Sequence, residues 1–255
     1  MEMHRCRIEP QSWDEPEYRP APDELERLLR VLRVKDGTTV AVFDGQGRSG
    51  QARLTVDPAG GAVRLQRLEV EDATAVAPLP VVLFQAIPKS TRMDWLVEKA
   101  TELGVSEIVP LVSERCIVRA GEKNRGGNRL SRWRRLAQQA ARQCGLAKVP
   151  DVAEPITLEA AMRRLTVQFP GGLYGSLEAD AMPLRRALAA LAHHSGRMAL
   201  FIGPEGDFTP RECGCLRAAG MLPIDLGPRI LRVETAALAA LCLIGHELRT
   251  AAGTW

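Results

Sequence analysis

Leu200-Phe-Ile-Gly-Pro-Glu-Gly-Asp-Phe208 and, further along, Leu226-Gly-Pro-Arg-Ile-Leu-Arg-Val-Glu-Thr-Ala236 decide the reading of this chain. The apolar run Met198 to Ile202 reads as a buried strand that stops at Gly203-Pro204. Glu205, Gly206 and a helix start at Thr209-Pro210 follow. A strand that ends in a glycine-rich turn is where an α/β protein places a ligand, at the carboxyl edge of its sheet. The second stretch repeats the arrangement. Pro223 to Leu226 reads as a short strand, Gly227-Pro228 turns it, and a helix starts near Val233. Two such turns from one domain can close on one small molecule from two sides.

Neither turn is built for a phosphate. The chain lacks both G-x-x-x-x-G-K-[ST] and a G-x-G-x-x-G after a strand. In the second loop Arg229 and Arg232 flank the apolar Ile230 and Leu231. Backbone amides and carbonyls of such a loop can pair with a base edge while aliphatic side chains cover its face. Each piece also has a plainer reading. Gly and Pro punctuate ordinary loops, loop arginines are usually solvated, and a carboxylate such as Glu234 in the first turn of a helix is favoured by the helix dipole alone.

Outward from these loops the chain alternates strand and helix. Strands are expected at Val81 to Ile87, Ile108 to Val112, Gly172 to Ser176, Met198 to Ile202 and Pro223 to Leu226. Helices are expected at Thr91 to Leu103, Arg129 to Cys144, Leu158 to Leu165, Leu184 to Ala192, Pro210 to Ala219 and Val233 to Arg249. In the first helix Met93, Leu96, Val97, Ala100 and Leu103 form one stripe. This alternation argues for a parallel sheet covered on both faces. The last helix is apolar almost all round from Ala236 to Ile244 and requires burial by the core or by a second subunit.

Residues 1 to about 75 read differently. Val40 and Val42 lead into Phe43-Asp-Gly-Gln-Gly47, a hairpin signal. Ala52, Leu54 and Val56 alternate next, Asp57-Pro-Ala-Gly-Gly61 turns the chain, and Val63, Leu65, Leu68 and Val70 follow. One helix carries Leu25, Leu28, Leu29 and Leu32, with Asp23 as its cap. Short strands with tight turns suggest a small barrel, and Ala73 to Pro80 is the expected linker.

The chain has 255 residues, a net charge of +3 and an apolar fraction of 45%, the balance of an ordinary globular protein. The longest apolar run falls short of the ~20 residues a membrane span needs. The polar N-terminus, Met1-Glu-Met-His-Arg, is not a signal peptide. Six scattered cysteines suggest neither a disulfide framework nor a zinc site, so a cytoplasmic protein without a metal is expected. Cys116 and Cys144 read as small core residues, Trp95 and Trp133 as packing, and His193-His194 as exposed. Charge matters locally. Lys123, Arg125, Arg129, Arg132, Arg134, Arg135 and Arg142 occur with no acid between residues 123 and 142. Leu130, Trp133, Ala137, Ala140 and Ala141 share a helix face, with Arg132, Arg135, Gln139 and Arg142 opposite; Arg115, Arg119 and Lys148 extend the run. A one-signed face of this kind suits a phosphate backbone, against the plain alternative of a solvated surface.

Taken together, Lys89-Ser-Thr-Arg-Met-Asp-Trp-Leu-Val-Glu-Lys-Ala-Thr-Glu-Leu-Gly-Val105, Glu114-Arg-Cys116, Ala137-Gln-Gln-Ala-Ala-Arg-Gln-Cys-Gly145, Ile202-Gly-Pro-Glu-Gly206 and Leu226 to Ala236 resemble the bacterial ribosomal RNA small subunit methyltransferase E family. The resemblance is strong over about 80 to 250 and weaker before. It implies a SPOUT-class, S-adenosylmethionine-dependent enzyme that methylates N3 of a uridine in small-subunit ribosomal RNA. It implies residues 1–75 as a PUA-like β-barrel that binds RNA and 80–255 as an α/β methyltransferase domain with a parallel sheet and a C-terminal trefoil knot. A homodimer acting on the assembled small ribosomal subunit, away from membranes, is implied as well. By matching positions, Leu173, Tyr174, Gly175, Ile202, Gly203, Pro204, Glu205, Gly206, Leu226, Gly227, Ile230, Leu231, Arg232, Glu234, Thr235 and Ala236 would line the cofactor pocket. Arg232 and Glu205 would act near the methyl transfer, and Arg5, Arg7, Arg115, Lys123, Arg125, Arg129, Arg132, Arg135 and Arg142 would hold RNA. Asp207 stands where the family has a glycine, Cys144 where it has a serine, and Leu146 where it has an arginine-like residue. A relative that methylates a ribose 2′-hydroxyl and a non-catalytic RNA-binding protein are the alternatives.

Overall fold

The computed structural model describes residues 3–56, 63–68, 79–89, 91–116, 123–169, 171–191 and 196–252, with the backbone alone at 123–128, 166–168 and 251–252. The expected turn at 57–61, Val70, the linker over 73–78, Arg119, His193-His194 and the side chains of Lys123 and Arg125 lie outside these residues. By contacts the chain divides into two compact units. One is Met1–Pro78 with Gln138–Val149, and the other is Leu79–Ala137 with Pro150–Trp255.

In the first unit, strands β1 (Arg5–Arg7), β2 (Glu17–Tyr18), β3 (Thr39–Phe43), β4 (Ser49–Val56) and β5 (Val63–Leu68) form a sheet in the order β1-β3-β4-β5-β2. One bridge, Ile8 to Pro20, joins the chain just beyond its two edge strands. The β3–β4 turn forms where the Asp-Gly signal stands: Asp44 Oδ1 accepts the amides of Gln46, Gly47 and Arg48, and Gly45 takes a φ of 78°. Alternate side chains Val40, Val42, Ala52, Leu54 and Leu65 point into one core with Cys6, Ile8 and Leu28. The expected helix forms over the span of its leucines but is not α-helical throughout. α1 (Glu24–Glu26) widens into a π-helical turn at Arg27–Val31. Asp23 does not cap it; its carboxylate pairs with Arg7 at 3.4 Å. Glu24 is fully buried between Arg27 and Arg142, which hold its two oxygens at 2.7 and 2.6 Å.

The second unit is a parallel sheet. Its strands are β6 (Val81–Ala86), β7 (Glu107–Val112), β8 (Asp151–Val152), β9 (Ile156–Thr157), β10 (Gly172–Gly175), β11 (Met182–Pro183), β12 (Met198–Ile202) and β13 (Met221–Asp225). The order is β11-β13-β10-β12-β6-β7-β8, with β9 beside β7. Every described pairing in it is parallel. β10 therefore lies between two strands that come later in the chain. Burial on both faces explains why β6 and β12 read as continuous apolar runs rather than alternating ones. Its helices are α2 (Arg92–Glu102), α3 (Lys123–Cys144, whose last turns belong to the first unit), α4 (Leu158–Gln168), α5 (Leu184–Leu191), α6 (Pro210–Ala218) and α7 (Val233–Ala252). One face of the sheet, with Phe84 stacked on Phe201 at 4.4 Å, packs on Leu158 and Leu165 of α4 and on Cys213 and Leu216 of α6. α7 packs on β6, β12 and α2.

α6 starts where Thr209-Pro210 predicts. Thr209 and Glu212 form a reciprocal capping box. At the opposite end of the sheet, buried Glu107 receives Arg164 on both oxygens (2.7 and 2.8 Å) and Arg197 on one (2.5 Å).

Candidate functional site

The carboxyl ends of β10, β12 and β13 surround a cavity of about 280 Å³. The two loops singled out in the sequence form opposite walls. Ile202, Gly203, Pro204 and Glu205 come from the first, and Leu226, Gly227, Ile230, Leu231 and Arg232 from the second. Gly175 and Ala236 close the lining among the expected residues. The remaining expected residues do not reach it. Leu173 and Tyr174 are fully buried within the sheet. A strand's side chains leave through its faces, so only the end of β10 and the loop beyond it can line a cavity at the sheet edge. The third wall is accordingly Gly175, Ser176 and Leu177. Gly206, Glu234 and Thr235 stand beside the lining rather than in it.

Lining residues outside the expected pocket set are Arg92, Asp207, Ile224, Asp225, Arg229 and Val233, besides Ser176 and Leu177. Arg92 comes from α2, far away in sequence, and only the fold brings it in. Its guanidinium lies 3.7 Å from Glu205 and 3.8 Å from Glu234, between the two loops. The Lys89-Ser-Thr-Arg92 stretch was visible as a motif without a stated role.

The first loop is braced from several sides. Glu205 Oε1 accepts the Lys89 amide at 3.0 Å. Arg115 donates to the Gly206 carbonyl. Asp207 adopts a φ of 60°. Its Oδ1 accepts the Phe208 amide at 2.7 Å and its Oδ2 the Leu177 amide at 3.3 Å. Gly203 keeps the loop tight, since a Cβ there would lie 3.1 Å from both Asp207 Oδ1 and the Phe208 nitrogen and would push them back by a few tenths of an ångström. In the second loop Gly227 takes a φ of 113°, and its amide is held by Asp225 Oδ1 at 2.8 Å. Ile230 is 82% exposed, an apolar side chain held in water at a cavity rim. Arg232 is exposed, and its guanidinium has no partner among the described residues. One oxygen of Glu234, Oε2, is buried and without a hydrogen bond.

The basic residues have more partners than the sequence suggests. Arg5 donates to the Leu146 carbonyl and lies over the Phe43 ring. Arg7 pairs with Asp23, Arg132 with Asp94 at 2.7 Å, and Arg142 with Glu24. Arg134 donates to the Val152 carbonyl, and Arg129 also has a partner. Arg135 stays exposed and unpaired among the described residues. The acids absent from residues 123–142 are supplied from elsewhere in the chain. The opposite face of the helix is buried as expected, at Leu130, Trp133, Ala137, Ala140 and Ala141. Trp95 is instead 48% exposed, Cys144 is exposed and Cys116 half-buried. No grouping of His, Cys, Asp and Glu among the described residues suits a metal ion, and no described helix is long and apolar enough to cross a membrane.

Comparison with known proteins sets the class. The family model for the RNA methyltransferase domain matches residues 75–245. A Mycobacterium bovis protein named ribosomal RNA small subunit methyltransferase E is 33% identical over 224 residues, 88% of this chain and 84% of the relative. The crystal structure of the Neisseria gonorrhoeae enzyme of that name, bound to S-adenosyl methionine, is 32% identical, with a TM-score of 0.81 over 98% of both chains. A Legionella pneumophila protein solved with bound SAM is 28% identical, with a TM-score of 0.83 over 97% of this chain and 98% of that one. The chain belongs to the ribosomal RNA small subunit methyltransferase E family.

Proposed function

We propose that the protein transfers a methyl group from S-adenosyl-L-methionine to N3 of one uridine in small-subunit ribosomal RNA. The observation that carries this reading is the cavity itself, where the two motif loops meet at the carboxyl edge of a parallel sheet. Its residues fit the cofactor. Leu226, Ile230, Leu231, Ile202 and Ala236 offer apolar cover for an adenine face, and the glycine-rich loop backbones offer amides and carbonyls to its edge. Gly175 and Gly203 keep the walls thin. Beside the lining, Glu234 Oε2 is buried without a hydrogen bond.

When bound, the cofactor supplies an activated methyl on a positively charged sulfur, so the protein has to position the partners and shape charge. N3 of uracil must lose its proton. Arg232, with its donors unspent, stabilises the negative charge that develops on the ring oxygens. Glu205 commits Oε1 to the Lys89 amide and accepts the proton through its other oxygen. Arg92 sits between Glu205 and Glu234 and keeps two carboxylates from facing each other uncompensated. The target base is drawn out of its stack to reach this point.

Arg135 and the neighbouring basic residues of α3, with Lys123 and Arg125, hold the surrounding RNA together with the N-terminal unit, read here as a PUA-like barrel. The Ile8–Pro20 bridge between the chain segments beyond its edge strands supports that closure. Two later strands flanking β10 support the trefoil knot. Leu243, 45% exposed on α7, and Trp95 on α2 support burial against a second copy as a homodimer. The enzyme works in the cytoplasm, on the assembled small subunit. Small ribosomal subunits lacking the modification, incubated with the protein and methyl-labelled cofactor, should gain label in one 3-methyluridine. Label on a ribose oxygen, or none, rejects the proposal.

A further inference from the structure

Asp207 is built into the cavity in a way that its backbone alone does not require. Its φ of 60° lies in the left-handed region, which a glycine adopts without penalty and aspartate tolerates better than most side chains. One bond is local, from the Phe208 amide of the next residue to Oδ1 at 2.7 Å. The second oxygen reaches elsewhere: Oδ2 accepts the amide of Leu177, 30 residues earlier, in the loop after β10. Asp207 and Leu177 both line the cavity, in different walls. Gly203 is left bare against this carboxylate.

We infer that Asp207 is a positioning residue that ties the first cofactor loop to the wall formed by residues 175–177 and so presets the cavity for its ligand. This rests on the reading of the cavity as the S-adenosylmethionine site. A strut between walls acts on any ligand that fills the cavity, charged or neutral. A carboxylate acting by charge alone would favour the cationic sulfonium over the neutral thioether product.

The test is Asp207→Gly, with Asp207→Asn as the second variant, read by calorimetry with S-adenosylmethionine and S-adenosylhomocysteine and by amide hydrogen exchange of the unliganded protein. Glycine suits the backbone, so the melting temperature should hold or rise. Both ligands should nevertheless bind roughly 10- to 15-fold more weakly, the low end for a hydrogen bond to a charged group. The Leu177 amide should exchange faster. Asparagine has one acceptor oxygen for two amides and should lose less. Unchanged binding and unchanged exchange in Asp207→Gly overturn the inference, as does a loss confined to the sulfonium. If the wild-type protein binds neither ligand, the cofactor reading has failed. Exchange at Leu177 still decides the strut: faster in the variant upholds the tie between the walls, and unchanged exchange removes it.

Discussion

Replacing Gly172 with alanine probes the strand that leads to the cavity. Gly172 stands in β10 opposite Ala199 of β12 on one side and Met221 of β13 on the other. A Cβ at this position would lie 2.4 Å from the Ala199 carbonyl oxygen, 2.8 Å from the Met221 sulfur and 3.0 Å from the Ala199 Cβ. Heavy atoms prefer a separation of about 3.5 Å, so β10 must give way by roughly 1 Å. The nearest atom is backbone, and no rotamer change relieves it. Overpacking of this kind costs about 1–3 kcal/mol, and a clash with main chain belongs at about 3 kcal/mol. In a protein of this size each kcal/mol shifts the melting temperature by about 2–4 °C, which gives a fall of roughly 6–12 °C. The same displacement moves Gly175, Ile202 and Ile224, which line the cavity, so cofactor affinity should fall as well. Scanning calorimetry and cofactor titration of Gly172→Ala read both effects. Gly214→Ala is the control. Gly214 is in α6 with nothing within 4 Å of its Cβ position, and alanine there should add about 0.5–1 kcal/mol. A Gly172→Ala protein that melts within about 2 °C of wild type, with unchanged affinity, refutes the packing argument.

Arg232→Ala should lower single-turnover methyl transfer at saturating cofactor by on the order of 100-fold; near-normal turnover removes its assigned role. RNA binding should weaken steeply with salt, and Arg135→Ala should flatten the slope of log affinity against log salt by about one unit; an unchanged slope makes the exposed arginine a solvated one. Arg142→Ala leaves one oxygen of fully buried Glu24 without its partner, and chemical denaturation should show a loss of about 2 kcal/mol. Burial pushes the Tyr174 hydroxyl up to about 12, above the usual ~10 of an unfolded chain. The folded state therefore holds this proton more tightly. That contribution is fully present below pH ~10 and is lost as pH rises through about 12. Urea midpoints at pH 9 and 11.5 should diverge less in Tyr174→Phe than in wild type, and equal divergence sinks the assignment.

What the sequence made readable was the loops and the runs that lead into them. The stripe Met93, Leu96, Val97, Ala100 and Leu103 predicted the buried face of α2; the first four side chains are buried, and Leu103, at the end of the helix, is half-buried. The sheet edge was legible because two apolar strands each end in a Gly-Pro turn, at Gly203-Pro204 and Gly227-Pro228. Pairing across the fold was not. Arg132 finds Asp94 and Arg142 finds Glu24, and no local pattern announces either. Arg92 reaches the cavity from a helix whose periodicity reports only its buried side. Of the β10 residues expected in the third wall, Gly175 lines the cavity while Leu173 and Tyr174 are buried within the sheet, because matching positions along β10 does not say which residue clears the sheet. β8, β9 and β11 are two residues each, too short for any period to show. The leucines of the first region marked the helical span, but no pattern announced its π-helical turn at Arg27–Val31.

The most direct test is a crystal structure of this protein grown with S-adenosylmethionine. Density for the cofactor should lie between Ile202–Glu205 and Leu226–Arg232, with its adenine against Ile230 or Leu231 and the Asp207–Leu177 bond intact. Cofactor bound elsewhere, or those two loops standing apart around an empty cavity in crystals that hold it, contradicts the account.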